Sequence, residues 1–245
     1  GQTADEFLKM RDALSRPSQC LFCPGHESAM GAEIYRLPPP AAAGAAPNPW
    51  SVRVVPSPIG TLKLEGTLGR RGDGIYDTMN TFGAHEIIIE TPDHVKNLST
   101  LPESQIIQAL TVYQARIREL EHDERFRYTI IFRNQRPAMP ERFGHSHSQV
   151  AGLPLIPKVV KEELGAAEYH FKIKERCIYC DIARQDQDQQ SRVIESKDGY
   201  LTFVPYSARF PFETMILPLR HRHDFMDVPP DELAALAGPL KRALH

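Results

Sequence analysis

A chain of 245 residues can form one large domain or two small ones, and its 41% apolar and 24% charged residues are those of a soluble globular protein. No apolar run approaches the roughly 18 residues of a membrane span, and Gly1-Gln2-Thr3-Ala4-Asp5-Glu6-Phe7 has neither the basic region nor the apolar core of a signal peptide. A cytoplasmic protein with no membrane partner is therefore expected. A formal net charge of -2 leaves no basic footprint, which argues against nucleic acid as a partner and leaves nucleotides open.

In chain order, residues 1–19 carry the period of a short amphipathic helix (Phe7, Leu8, Met10, Leu14) ending before Pro17, and Cys20-Leu21-Phe22-Cys23 follows as a knuckle. The Pro/Ala-rich stretch from Pro38 to Pro47 suits a surface connector. Trp50-Ser51-Val52-Arg53-Val54-Val55 alternates like a strand closed by Pro56. Gly66, Gly69, Gly72 and Gly74 mark an insertion expected to be a flexible hairpin or lid, since the strand-to-helix spacing of a phosphate loop is missing. His85-Glu86-Ile87-Ile88-Ile89-Glu90 reads as a second strand. Leu101-Pro102-Glu103 opens a long helix to about His122, with Ile106, Ile107, Leu110, Tyr113, Ile117 and Leu120 on one stripe. A third strand at 128–134 leads through Pro137 and Pro140 to a fourth.

That fourth strand opens with Phe143-Gly144-His145-Ser146-His147-Ser148-Gln149-Val150. If it is extended, His145, His147 and Gln149 project to one side and Ser146 and Ser148 to the other. Two imidazoles and an amide then stand in a row, and imidazole near neutral pH can serve as nucleophile, proton carrier or metal ligand.

The chain repeats itself. At an offset of 127, Glu86 maps to Glu213, Pro102 to Pro229, Ile106 to Leu233 and His94 to His221. At an offset of 149, Val54-Val55-Pro56 maps to Phe203-Val204-Pro205, so the first copy carries 22 extra residues, the difference of the offsets, where the glycines lie. All four cysteines fall in two C-x-x-C pairs, Cys20/Cys23 and Cys177/Cys180, which in a cytosolic chain points to metal or redox chemistry rather than a disulfide framework. Zinc wants four N/S ligands. Cys20 and Cys23 supply two, His94 is the natural third because its repeat partner recurs, and His145 is the expected fourth. The second site has Cys177, Cys180 and His221, with His223 as a substitute ligand or a fourth ligand beyond residue 245. His26, His85, His122, His170 and His245 are expected to be ordinary surface or core residues. The second copy stops inside its long helix, so its domain is expected to be incomplete in this chain, with the helix's apolar stripe uncovered.

C-x-x-C, Pro92-Asp93-His94, the strand end Phe132-Arg133-Asn134-Gln135 and His145-Ser146-His147-Ser148-Gln149 together resemble the galactose-1-phosphate uridylyltransferase family of the histidine-triad superfamily. The H-S-H-S-Q form is most similar to its ADP-glucose phosphorylase-like branch. The resemblance implies an α+β fold of two histidine-triad-like domains, each an antiparallel sheet with a long helix, spanning 1–160 (catalytic) and 161–245 (truncated). It implies zinc on Cys20, Cys23, His94 and His145, and on Cys177, Cys180 and His221. It also implies a transferase of galactose and related carbohydrate metabolism, in which His147 attacks the α-phosphorus of a nucleoside diphosphate sugar. The nucleotidyl group then passes to a sugar 1-phosphate or to phosphate. Gln149 would donate to a phosphoryl oxygen without delivering a proton, and Asn134 and Ser148 would contact substrate. Arg133, Arg136 and Arg142 are expected either to clamp phosphate or to form a solvated charge run. A phosphorylase or hydrolase, or a zinc-stabilised nucleotide-binding module without turnover, is the alternative. The family and the stripe of the last helix together make a homodimer the expected assembly.

Overall fold

In the computed structural model, residues 20–39, 50–58, 62–94, 96–135 and 144–245 are described. The helix expected at 1–19, most of the Pro/Ala connector, and Arg136 and Arg142 lie outside them. The chain divides into two compact units, Gly1–Leu155 and Ile156–His245, of the α+β class. Among the described residues no helix is long and apolar enough to cross a membrane.

The first unit is built on a five-stranded antiparallel sheet of β1 (Tyr35–Leu37), β2 (Val52–Pro56), β5 (Ala84–Ile89), β7 (His147–Leu153) and β6 (Tyr128–Phe132), in the order β1-β2-β5-β7-β6. The Ile87-Ile88-Ile89 run is fully buried because both faces of β5 are covered. Ile87 and Ile89 pack with Phe22, Trp50, Val55 and the first cysteine pair, so the knuckle forms one layer of core. The opposite face meets α1 (Glu103–Glu121), which buries Ile106, Leu110, Tyr113 and Leu120 of the expected stripe; Ile107 and Ile117 are half-buried. On that face Arg116 grips Glu86 through two hydrogen bonds of 2.8 and 2.9 Å, a buried pair with its charge matched. The glycine-rich insertion is a short hairpin of β3 (Arg71–Asp73) and β4 (Tyr76–Thr78), turned at Gly74 with φ +61°.

The second unit opens with two helices that the sequence reading did not anticipate, α2 (Lys158–Lys174) and α3 (Ile178–Gln189). A three-stranded antiparallel sheet follows, of β8 (Val193–Lys197), β9 (Tyr200–Phe203) and β10 (Met215–Pro218), and then α4 (Pro230–Ala243). The repeat reaches down to register. Arg53 pairs with Ile89 and Val54 with Ile88, and their offset counterparts, Thr202 with Ile216 and Phe203 with Met215, pair in the same way. β8, missed in the sequence, is the counterpart of β1. The corresponding strands therefore present His94 and His221 at the same place, just past the strand that precedes each long helix.

Candidate active site and metal centre

β5 and β7 pair with Ile89 opposite His147, which sets His145 beside the chain leaving β5 toward His94. The His145 ring donates from Nε2 to the Thr91 carbonyl at 2.7 Å, because a carbonyl can only accept. That fixes the tautomer and turns the Nδ1 lone pair toward the sulfurs of Cys20 at 3.7 Å and Cys23 at 3.5 Å; Nδ1 of His94 lies 3.4 Å from Cys23. All four ligand atoms fall within 4.8 Å of one another. An ion with metal–sulfur and metal–nitrogen bonds of about 2.3 and 2.0–2.1 Å in a tetrahedron has sulfur–nitrogen edges of about 3.6 Å, so the quartet fits such an ion, zinc among them. The expected four ligands are thus brought together. Burial, helped by the neighbouring His94 and His147, takes His145 down to about 4, and burial with the adjacent Cys20 pushes the Cys23 thiol up to about 12. Both groups are neutral without a cation, and a cation held here would have to displace the Cys23 proton.

His147 is held by a comparable device. Its Nδ1–H donates to the His145 carbonyl at 2.7 Å, which places the ring's lone pair on Nε2. Burial is the main cause of a pKa below the ordinary histidine value, so the ring is neutral at pH 7. Phe22 packs edge-on against both rings, at 6.2 Å from His145 and 5.6 Å from His147. Gln149 shares this face of β7, as alternation requires.

The other face holds what the sequence reading missed. Glu90, fully buried, accepts hydrogen bonds from Ser146 Oγ at 2.7 Å and Ser148 Oγ at 2.5 Å, with Tyr113 OH 2.8 Å away; Arg133 Nη1 closes an ion pair onto the same carboxylate. Arg133 also donates to the His147 carbonyl at 3.1 Å. The hydroxyl of Ser148 is turned away from the His147 face and engaged by Glu90 and Tyr113. Arg133 is not part of a solvated charge run, because it is largely buried and neutralises the Glu90 carboxylate. Asn134 is exposed, two residues past the end of β6. An acid closing an apolar strand was the visible signal for Glu90; its partners come from α1, β7 and the segment after β6, which only the fold assembles. Glu90→Gln is expected to destabilise the first unit by about 3 kcal/mol by leaving Arg133 without its counter-charge, as urea unfolding would show. A loss below about 1 kcal/mol would contradict this account of the pair.

In the second unit the ligand atoms of Cys177, Cys180 and His221 also lie within 4.8 Å of one another, with Cys180 Sγ 3.3 Å from His221 Nδ1. This trio is half-buried to exposed, and His223 does not join it among the described residues. His170 is bonded at 3.1 Å to Asp181, one residue past Cys180.

Residues 2–157 match the family model for the galactose-1-phosphate uridyl transferase N-terminal domain. The chain belongs to this family. Among curated members, ADP-glucose phosphorylase of Arabidopsis thaliana is 29% identical over 94% of this chain and 63% of its own length. Galactose-1-phosphate uridylyltransferase of Thermotoga maritima is 28% identical over 65% of this chain and 49% of its own length. The chain thus spans roughly half to two thirds of these uridylyltransferase-family relatives. The crystal structure of the Arabidopsis ADP-glucose phosphorylase with bound ADP-glucose superimposes with a TM-score of 0.77 at 28% identity, covering 92% of this chain and 67% of that one. A uridylyltransferase structure gives 0.73 at 27% identity, covering 86% and 69%.

Proposed function

We propose that the protein is a nucleotidyltransferase whose catalytic unit is the first, acting on a nucleoside diphosphate sugar. Nε2 of His147 attacks the α-phosphorus, the bond from that phosphorus to the bridging oxygen breaks, and a sugar 1-phosphate leaves. A phosphate oxygen of the second substrate, a sugar 1-phosphate or inorganic phosphate, then attacks the nucleotidyl-histidine and returns the neutral ring. Neither leaving group needs a strong acid, since phosphate is already a stable anion near pH 7, so an amide at Gln149 suffices where a proton donor would otherwise be wanted. Cys20, Cys23, His94 and His145 would hold zinc, whose contribution is to fix the His145 ring and, through that backbone, the carbonyl that orients His147.

The observation that carries this reading is the His147 tautomer. With Nδ1–H spent on the His145 carbonyl, the nucleophilic lone pair is on the outer nitrogen of a neutral ring. The relatives' names, a uridylyltransferase and an ADP-glucose phosphorylase, support a nucleoside diphosphate sugar as first substrate. Transfer to phosphate is the second reading, favoured by the alignment with the phosphorylase over 94% of the chain. Incubation with UDP-glucose, ADP-glucose and GDP-sugars labelled in the nucleotide is expected to leave an acid-labile label on His147. Discharge of that label by phosphate or by galactose 1-phosphate separates the two acceptors. No label with any nucleotide sugar would sink the proposal and leave a nucleotide-binding module.

A further inference from the structure

Gln149 does not stand alone on its strand. Its Oε1 lies 2.9 Å from Nε2 of His85, a histidine that no sequence motif marks. Residue 149 sits opposite Phe132 on one side and Ile87 on the other, while His85 lies opposite Ala151. The small Ala151 lets the imidazole reach across β7 and stack on Phe132, with ring centroids 6.4 Å apart and planes inclined by 26°. The position of the ring is therefore set by packing before it meets the amide.

A carboxamide has two ends of similar size and opposite chemistry, an acceptor oxygen and a donor nitrogen. Beside a phosphoryl group only the nitrogen end is useful, because the oxygen end would face the phosphoryl oxygens lone pair to lone pair. We propose that His85 is a positioning residue that decides which end is presented. Its Nε2–H holds Oε1 of Gln149, which leaves the –NH2 rather than the oxygen as the end of the amide to be offered to a phosphoryl group. The chemical consequence rests on the nucleotidyl-transfer reading above; the orientation itself does not.

Two measurements test this on the intact chain. In 15N imidazole NMR, His85 is expected as the Nε2–H tautomer in the wild type, with that signal displaced in Gln149→Ala. An Nδ1–H tautomer, which would reverse the amide, or a signal indifferent to Gln149→Ala, overturns the proposal with no substrate present. Single-turnover labelling of His147 then reads the consequence. His85→Phe keeps the stack on Phe132 but loses the donor, and is expected to slow labelling about tenfold at saturating nucleotide sugar. Placed on top of Gln149→Ala, the same change is expected to cost less than about twofold. Equal losses in both backgrounds would show a merely structural histidine and overturn the proposal. Absence of labelling in the wild type would instead refute the nucleotidyl-transfer reading, with the NMR result still deciding the orientation.

Discussion

Asparagine in place of His147 is expected to lower nucleotidyl transfer by a factor on the order of a thousand or more while leaving the fold in place. The asparagine –NH2 can still donate to the His145 carbonyl, the local bond that the imidazole makes at 2.7 Å. What it lacks is a second nitrogen with a lone pair, so no covalent intermediate can form. Because residue 147 is almost fully buried beside Phe22, the smaller side chain will cost some packing, which thermal unfolding would register as a shift of a few degrees. Label accumulation and turnover should vanish together. Retention of either at more than about a tenth of the wild-type level would remove His147 from the nucleophile's role.

Cys20→Ser is expected to have the largest effect on stability. Cys20 and Cys23 belong to the same buried cluster as Trp50, Val55, Ile87 and Ile89, so the Cys/His quartet and one face of the sheet's core are a single structure. Structural zinc in small peptides binds with roughly 10–16 kcal/mol near pH 7, comparable to the whole stability of an ordinary domain. Losing one thiolate, and burying a serine hydroxyl in its place, is expected to lower the melting temperature by more than about 10 °C and the zinc content by one ion per chain. The pH dependence has a definite sign. Each thiol must lose its proton to bind, and burial holds Cys23 as the neutral thiol up to about 12 when no cation is present. Zinc affinity is therefore expected to rise with pH, by about tenfold per pH unit for each thiol proton displaced, and chelators should strip the protein more readily at pH 6 than at pH 8. A melting temperature indifferent to chelator and to Cys20→Ser would dismiss the metal from the first unit.

The parts of the fold legible in the sequence were those with strong local signals. β2 and β5 show as β-branched runs closed by proline or a turn, and α1 as a long apolar stripe behind Pro102. β1 was not legible, because three residues at a sheet edge hold their shape only through pairing with β2. α2 buries none of its residues, so the apolar stripe that normally betrays a helix is absent from its packing. The sequence pattern runs a strand on to Asn134, but β6 stops at Phe132, where pairing with β7 ends.

By itself the sequence determined the chemistry available: two cysteine pairs, two histidines one residue apart where a strand begins, and a duplication whose offsets already identify His94 and His221 as counterparts. Residue identity and spacing carry that information, since alternation in a strand is a local property. The tertiary structure alone decided how those groups are used. It gave Nδ1 of His145 to the cysteines, put the lone pair of His147 on Nε2, set Glu90 beneath the two serines and brought His85 to Gln149. A tautomer, an amide's orientation and a buried carboxylate's partners depend on which atoms come within about 3 Å, and the atoms concerned lie tens of residues apart along the chain.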